Sequence, residues 1–148
     1  MAGILAVAQT AEIALTAATA KTVLQLVAPA NQRLKIKGWG VFFDGVSASA
    51  EPVQTRVLRQ TTAGTMTSLT PVKLCAGSET LQATAQHTAT AEPTAGDVLD
   101  VVEVHPQSGY EKMIPLDQNW DVPGGGRVGI ECTAPAGVNV RAKIFFEE

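Results

Sequence analysis

Histidine and cysteine, on which most metal and nucleophilic sites depend, are scarce in this chain. There are two of each in 148 residues, and the spacing of Cys75 and Cys132 matches no zinc site. The sequence also lacks a Gly-x-Ser-x-Gly turn, which would present a nucleophilic serine. Gly124 to Gly126 is not followed by the Lys-Ser/Thr pair of a phosphate loop. We therefore predict that the protein is not an enzyme and holds no metal or cofactor.

Basic residues and long apolar runs are equally sparse. The chain has 11 basic and 14 acidic residues and a net charge of -3, so we expect no positive surface for nucleic acid. No stretch is long and apolar enough for a transmembrane helix. Residues 1–20 are apolar but lack the basic start of a secretory signal, and Gln9, Thr10 and Glu12 interrupt them. We expect a protein made in the cytoplasm that contacts neither nucleic acid nor membrane.

The composition is that of one folded domain with a weakly charged surface. Hydrophobic residues make up 45% of the chain and charged residues only 17%, which excludes a disordered chain. A length of 148 residues is enough for a single domain with a core. Many surface side chains are then alanine and threonine, and such a surface suits packing against other protein molecules.

Two segments near the C-terminus alternate apolar and polar side chains. They span residues 127–132 and 138–146, and successive side chains of a strand point to opposite faces. The residues between them include Pro135 and Gly137, which suit a turn. We expect a long antiparallel hairpin whose apolar side chains face the core. Those side chains are Val128, Ile130, Val140, Ala142 and Ile144.

Further β-rich segments are separated by turn sequences rich in glycine, proline and aspartate. Strands are expected at residues 22–27, 34–43, 53–61, 98–104, 110–115 and 120–122. Residues 62–96 show little pattern, and a helical turn at 80–85 and a short strand at 87–91 are both compatible with them. Roughly eight to ten short strands with long connections predict an all-β fold, an antiparallel β-sandwich of jelly-roll type.

Residues 1–20 are interpreted as an extended N-terminal arm, and residues 21–148 as the sandwich domain. Ile13 and Leu15 alternate with polar or small residues, as in a strand, although a short helix over residues 2–8 is equally compatible. An extended segment of this kind can add to the open sheet edge of a neighbour. We therefore expect Ile13 and Leu15 at an interface with an adjacent subunit or with a larger protein lattice, and a domain that folds without residues 1–20.

The strand at residues 34–43 is apolar on both faces in its second half. In a regular strand, Trp39, Val41 and Phe43 share one face with two lysines, and the glycines among them are typical of a bulge. Phe145 lies on the polar face of its own strand. These groups would form an exposed apolar patch, which closed symmetry usually covers. We expect all four at the interface of a homo-oligomer.

The two cysteines and two histidines have simple structural interpretations. Cys132 falls on the apolar face of its strand, which indicates a buried thiol that acts as a small hydrophobic side chain. Nothing in the sequence argues for or against a disulfide with Cys75. His87 and His105 lie near loops, where histidines are usually solvated.

Four features together resemble a known family. They are the Ala/Thr-rich N-terminal segment, the strand at 34–43, the turn Pro123-Gly-Gly-Gly126 and the closing strand at 138–148. This layout is similar to that of the small β-sandwich structural proteins of tailed-bacteriophage virions, above all head decoration (cement) proteins. The resemblance covers most of the chain as a pattern, without a short diagnostic motif. It implies trimers outside the capsid, at three-fold and quasi-three-fold positions, that clamp neighbouring major capsid subunits, and it implies no catalytic residues.

Two other classes of protein remain open on the sequence. A carbohydrate- or receptor-binding β-sandwich of a tail fibre or secreted protein would use Trp39, Trp120 or Tyr110 as a stacking platform. A jelly-roll enzyme of cupin type would need several histidines and a carboxylate around a metal. His87 and His105 are too few and too widely spaced for the second class.

Overall fold

Two antiparallel β-sheets pack against each other in this protein. The computed structural model describes residues 3–45 and 51–148, and these residues form strands and connections but no helix. The strands are β1 Leu5–Gln9, β2 Ile13–Leu15, β3 Ala20–Val27, β4 Leu34–Phe43, β5 Val53–Gln60, β6 Thr65–Leu69, β7 Val72–Lys73, β8 Thr84–Ala91, β9 Ala95–Val104, β10 Gly109–Met113, β11 Trp120–Val122, β12 Arg127–Thr133 and β13 Val138–Glu147. The predicted all-β sandwich is confirmed, and the finer jelly-roll assignment stays a prediction.

The strands divide unequally between the sheets. Sheet A has the order β10-β4-β13-β1-β7, with β11 also paired to β4 and β2 also paired to β13. Sheet B has the order β6-β8-β3-β12-β5-β9. The inner faces of both sheets meet in one hydrophobic cluster, whose largest fully buried side chains include Trp39 and Phe146. The outer faces are therefore the surfaces available to partners.

The expected C-terminal hairpin is wrong, although its core residues are right. Strand β12 lies in sheet B between β3 and β5, and β13 lies in sheet A between β4 and β1. The connection through Pro135 and Gly137 therefore passes from one sheet to the other. Alternation identifies the buried face of a strand but not its partner. The five side chains predicted to face the core are buried: Val128, Ile130, Val140, Ala142 and Ile144.

The N-terminal segment is part of the sandwich and is not a free arm. Strand β1 pairs with β13 along its whole length, and β2 pairs with β13 further along the same edge. Between them, the Thr10 N–H donates to the Ala142 carbonyl over 2.9 Å. Ile13 and Leu15 are buried in the core of their own chain. Over the described residues 3–8 the helix considered for residues 2–8 is not formed, because β1 occupies Leu5–Gln9, and residue 2 lies outside the described residues.

A bulge in β4 reverses the direction of its side chains. Phe145 lies opposite Gly38, but the next residue of β13, Phe146, lies opposite Ile36, so Lys37 is the extra residue. A bulge of this kind inserts one residue into one strand of a pair. Before Lys37 the even-numbered side chains of β4 face the core, and after Lys37 the odd-numbered ones do.

This reversal corrects the interface assigned to β4. Trp39, Val41 and Phe43 point into the core and are 0%, 0% and 7% exposed. Phe42 instead points outward and is 39% exposed. The three residues predicted at an interface are core residues, because after the bulge the odd-numbered side chains of β4 point inward.

The segment at residues 62–96 is more regular than its sequence indicates. It contains β6, β7 and β8, and the helical turn considered at 80–85 is not formed.

A network of polar side chains crosses the outer face of sheet B. The Gln25 amide donates to Gln60 over 2.7 Å, Gln60 donates to the Thr22 hydroxyl over 3.0 Å, and that hydroxyl donates to Glu92 over 2.7 Å. Because Gln25, Gln60 and Thr22 are buried, these bonds offset the cost of removing their polar groups from water.

The substitution Ile144→Asp tests the register of β13. Ile144 is 1% exposed, so a carboxylate there would be buried without a partner, and the free energy of unfolding should fall by about 3 to 5 kcal/mol. The conservative Ile144→Val should cost only about 1 kcal/mol. Urea unfolding of both variants measures the difference, and equal midpoints would mean that the side chain is not in the core.

Deleting residues 1–15 tests whether the N-terminal segment belongs to the domain. The deletion removes Ala6, Ala8, Ile13 and Leu15 from the core and leaves one edge of β13 without its partners. We expect loss of the folded state, the reverse of the expectation from the sequence. A chain that begins at Ile4 keeps every described strand and is the control. A cooperative thermal transition in the shorter chain would show that the segment is dispensable.

Candidate interaction surface

An apolar row crosses the outer face of sheet A from one edge to the other. Met113 of β10 lies opposite Gly38 of β4, and Gly38 lies opposite Phe145 of β13. Phe145 in turn lies opposite Val7 of β1, which lies opposite Val72 of β7. Five adjacent strands thus each contribute one residue, and none of the five carries charge.

Because Gly38 has no side chain, neighbouring side chains can lie across β4 at this position. A β-carbon at this position would stand 2.6 Å from the Met113 sulfur, which no real contact allows. Methionine therefore lies across the glycine, towards Phe145. The bulge at Lys37 sets this arrangement, because it places Gly38 in line with Met113 and Phe145.

The apolar row continues into a groove of about 420 Å³. Several large hydrophobic side chains around it are exposed, including Leu116 at 84%, Met113 at 59% and Leu74 at 55%. We call this region the apolar surface, and it consists of Leu5, Val72, Leu74, Met113, Leu116 and Phe145. A contiguous apolar region on the outside of a folded domain is typical of an interaction site.

Ion pairs border the apolar surface on both sides. The Lys37 ammonium lies 2.8 Å from Glu147, and the Lys143 ammonium lies 3.0 Å from Glu111. Lys143 also lies 5.1 Å from the ring centroid of Phe145, a distance at which a cation and an aromatic face attract. An apolar centre with a polar rim is the usual composition of a protein–protein interface.

Glu147 is held in its charged form by its surroundings. Its carboxylate accepts a hydrogen bond from Lys37 and another, over 3.1 Å, from the Gly3 N–H. These bonds lower the pKa of the Glu147 carboxyl below its ordinary value of 4.5. Glu147 therefore stays ionised beside the apolar surface at neutral pH.

The structure brings only one of the six predicted interface residues to this surface. Phe145 lies at the centre of the apolar surface and is partly exposed. The other five lie in the core of the chain: Ile13, Leu15, Trp39, Val41 and Phe43. Side chains enclosed in their own domain make no contact with another folded subunit.

The remaining members of the surface carry little signal in the sequence. Met113 and Leu116 belong to the short run Met-Ile-Pro-Leu, which does not tell outward from inward side chains, and Leu74 follows a lysine in the irregular middle segment. Only the pairing of β10 and β7 with the rest of sheet A brings them together. The alternation within residues 110–115 indicates that Met113 shares a face with Glu111, and the sequence gives no other sign of where Met113 points.

The aromatic residues considered as a sugar platform are mostly enclosed. Trp39 is 0% exposed, and its ring centroid lies 5.4 Å from that of Tyr110. The Lys112 ammonium lies 5.4 Å from the centroid of the Trp120 ring. A stacking platform needs an open aromatic face, and Trp39 offers none.

Thiol and imidazole groups form no chemical site in the described part of the chain. Both cysteines are free, with Cys75 exposed and Cys132 buried. Burial raises the pKa of the Cys132 thiol to about 12, so it stays protonated and inert. His87 is 2.9 Å from the Thr88 hydroxyl, and His105 accepts a bond from the Gln107 N–H. Over residues 3–45 and 51–148, no three metal-ligating side chains gather at one place.

Comparison with protein-family models, curated proteins and solved structures finds no match for this chain. Within the described residues, no helix is long and apolar enough to cross a membrane. The fold and the surface define an all-β sandwich with an exposed apolar face on sheet A.

The acid stability of the protein should depend on the ion pair between Lys37 and Glu147. Because the folded pKa of Glu147 is lowered, its stabilising contribution is present above pH 4.5 and is lost as the pH falls through the lower folded value. We expect the Tm difference between wild type and Glu147→Gln to be largest near neutral pH and to narrow in acid. Lys37→Gln should reproduce the loss at neutral pH. Tm curves of wild type and Glu147→Gln that stay parallel down to pH 3 would contradict this role.

Proposed function

We propose that this protein is a structural protein of a virion, specifically a capsid decoration protein. It binds the outside of a phage head lattice and stabilises it, and it acts as a homo-oligomer, a trimer. Its partners are copies of itself and the major capsid protein. The observation that carries the proposal is the apolar surface on sheet A.

The apolar surface supports a role in assembly because it is exposed and rigidly supported. Met113 and Phe145 lie on paired strands of a sheet, and strands hold a contact geometry better than loops do. Burying such a surface against protein is favourable at about 25 cal/mol per Å² of apolar area. A partner surface of protein is therefore the cover that best matches its apolar groove and polar rim.

The composition of the remaining surface also supports this role, although less strongly. Charged residues make up only 17% of the chain, and strands such as β8, with the sequence TAQHTATA, present small polar side chains. Small side chains allow the close approach of another backbone. A lattice of many copies multiplies modest contacts into tight attachment.

The proposal is tested by decoration of heads that lack the protein. Heads isolated from a gene-deleted strain of the source virus are mixed with purified protein and sedimented. We expect binding that saturates at a fixed number of copies per capsid subunit, and heads that withstand a higher temperature afterwards. Failure of the folded wild-type protein to co-sediment with these heads would overturn the proposal.

A surface variant refines the same experiment. Met113→Glu places a charge in the apolar surface without touching the core, and it should bind heads on the order of 10²-fold more weakly because a dissociated chain loses multivalent attachment. Ser68→Glu adds the same charge to the exposed β6 strand of sheet B and is the matched control. If both variants bound heads equally well, the apolar surface would have no part in the attachment.

A further inference from the structure

We propose that the copies of this protein associate head to tail, with strand β9 of one copy seated on the apolar surface of the next. The inference rests on the proposed function, because it specifies the contact through which the oligomer forms. It assigns a role to a second exposed region, on sheet B, that the apolar surface alone leaves unexplained.

The exposed large hydrophobic residues of the described chain fall into two separate groups. Six belong to the outer side of sheet A: Leu5, Phe42, Val72, Leu74, Met113 and Leu116. The other two are Val98 and Val101, which are 42% and 49% exposed. Both valines belong to β9, at the edge of sheet B.

Strand β9 presents these valines on the outer side of an edge. Val98 lies opposite Leu58, and Val101 lies opposite Arg56, on the outward positions of β5. Among the described residues, the other edge of β9 has no strand partner in sheet B. A ten-residue edge strand with exposed valines needs a cover, because open edges otherwise recruit other chains without selection.

The charges of the two regions are opposite. Strand β9 contains three acidic residues and no basic one. Asp100 is bound to Lys112 over 3.0 Å, whereas Asp97 and Glu103 form no ion pair within the described residues. On the outer face of sheet A, Lys35 and Arg141 likewise form none there, while Lys37 and Lys143 are paired with acids.

The two unpaired acids of β9 and the two unpaired bases on the outer face of sheet A make these faces complementary. Such complementarity orients partners and rejects the wrong ones. Contact between two copies of the apolar surface would instead leave Val98 and Val101 uncovered and the acids of β9 without a basic partner. The charge pattern therefore favours a contact between different regions.

Three-fold closure requires the same arrangement. A two-fold dimer joins one patch to itself, whereas a ring of three must join two different patches on each copy. The apolar surface and β9 are two such patches on one chain. The ring closes when every copy uses both, so no apolar group of either patch stays exposed.

Two single variants and their mixture test this arrangement. Met113→Glu blocks the apolar surface, and Val101→Glu blocks β9. Wild type should be a trimer by light scattering at micromolar concentration, and each variant alone should dissociate, with a Kd raised about 10²-fold. An equimolar mixture of the two variants should form dimers, because one chain offers an intact apolar surface and the other an intact β9. No trimer should appear in the mixture.

The mixture separates this arrangement from the alternatives. If Met113→Glu dissociates the oligomer but Val101→Glu does not, and no dimer containing one chain of each variant forms in the mixture, the copies meet face to face and the inference is wrong. If wild type assembles and neither variant changes it, the inference fails while the proposed oligomer stands. A monomeric wild type would count against the oligomer of the proposed function itself.

A charge reversal provides a second test that leaves the apolar residues unchanged. Glu103→Arg and Arg141→Glu should each weaken the oligomer about tenfold, and the two changes in one chain should restore it, because each contact then pairs the exchanged charges. Circular dichroism confirms that each variant is folded, and Ser68→Glu is again the control. If the double variant loses as much oligomer affinity as the two single variants added together, β9 does not contact the face that carries Arg141.

Discussion

The pairing of β13 on both of its sides is the constraint on which sheet A depends. Strand β4 lies along one edge of β13, and β1 and β2 share the other. Even-numbered side chains such as Ile144 and Phe146 fill the core, while Phe145 and Glu147 form the centre and rim of the apolar surface. A shift of one residue would exchange these two sets. The register that builds the core therefore also builds the surface.

The local pattern of a strand identified its buried face well, and its partner poorly. Alternation in residues 127–132 and 138–146 placed Ile130 and Ile144 in the core correctly. The same pattern indicated a hairpin, but each segment is a central strand of a different sheet. Hydrophobic periodicity depends on burial alone, whereas pairing depends on the rest of the chain. The Ala-rich β1 was harder still, because small residues fit helix and strand alike.

The surface was less predictable than the core because it depends on one irregularity and on distant pairings. The extra residue at Lys37 exchanged the faces of β4, so Trp39 became a core residue and Phe42 a surface one. The glycines near it were consistent with a bulge, yet they did not fix its position. Met113 joins the surface only through the pairing of β10 with β4, and no local sequence feature encodes that contact.

Strands β12 and β13 follow the other described strands in the sequence, and this order has a consequence for synthesis. Strand β1 pairs with β13, so Leu5 lies opposite Glu147, and β3 and β5 both pair with β12. A nascent chain that has not yet passed Arg127 therefore lacks the middle strand of both sheets. Contacts so far apart in sequence form slowly, and their apolar strands stay exposed on the ribosome. Neither sheet is thus complete before β12 and β13 are made, and a chaperone that shields the earlier strands would raise the yield of folded protein.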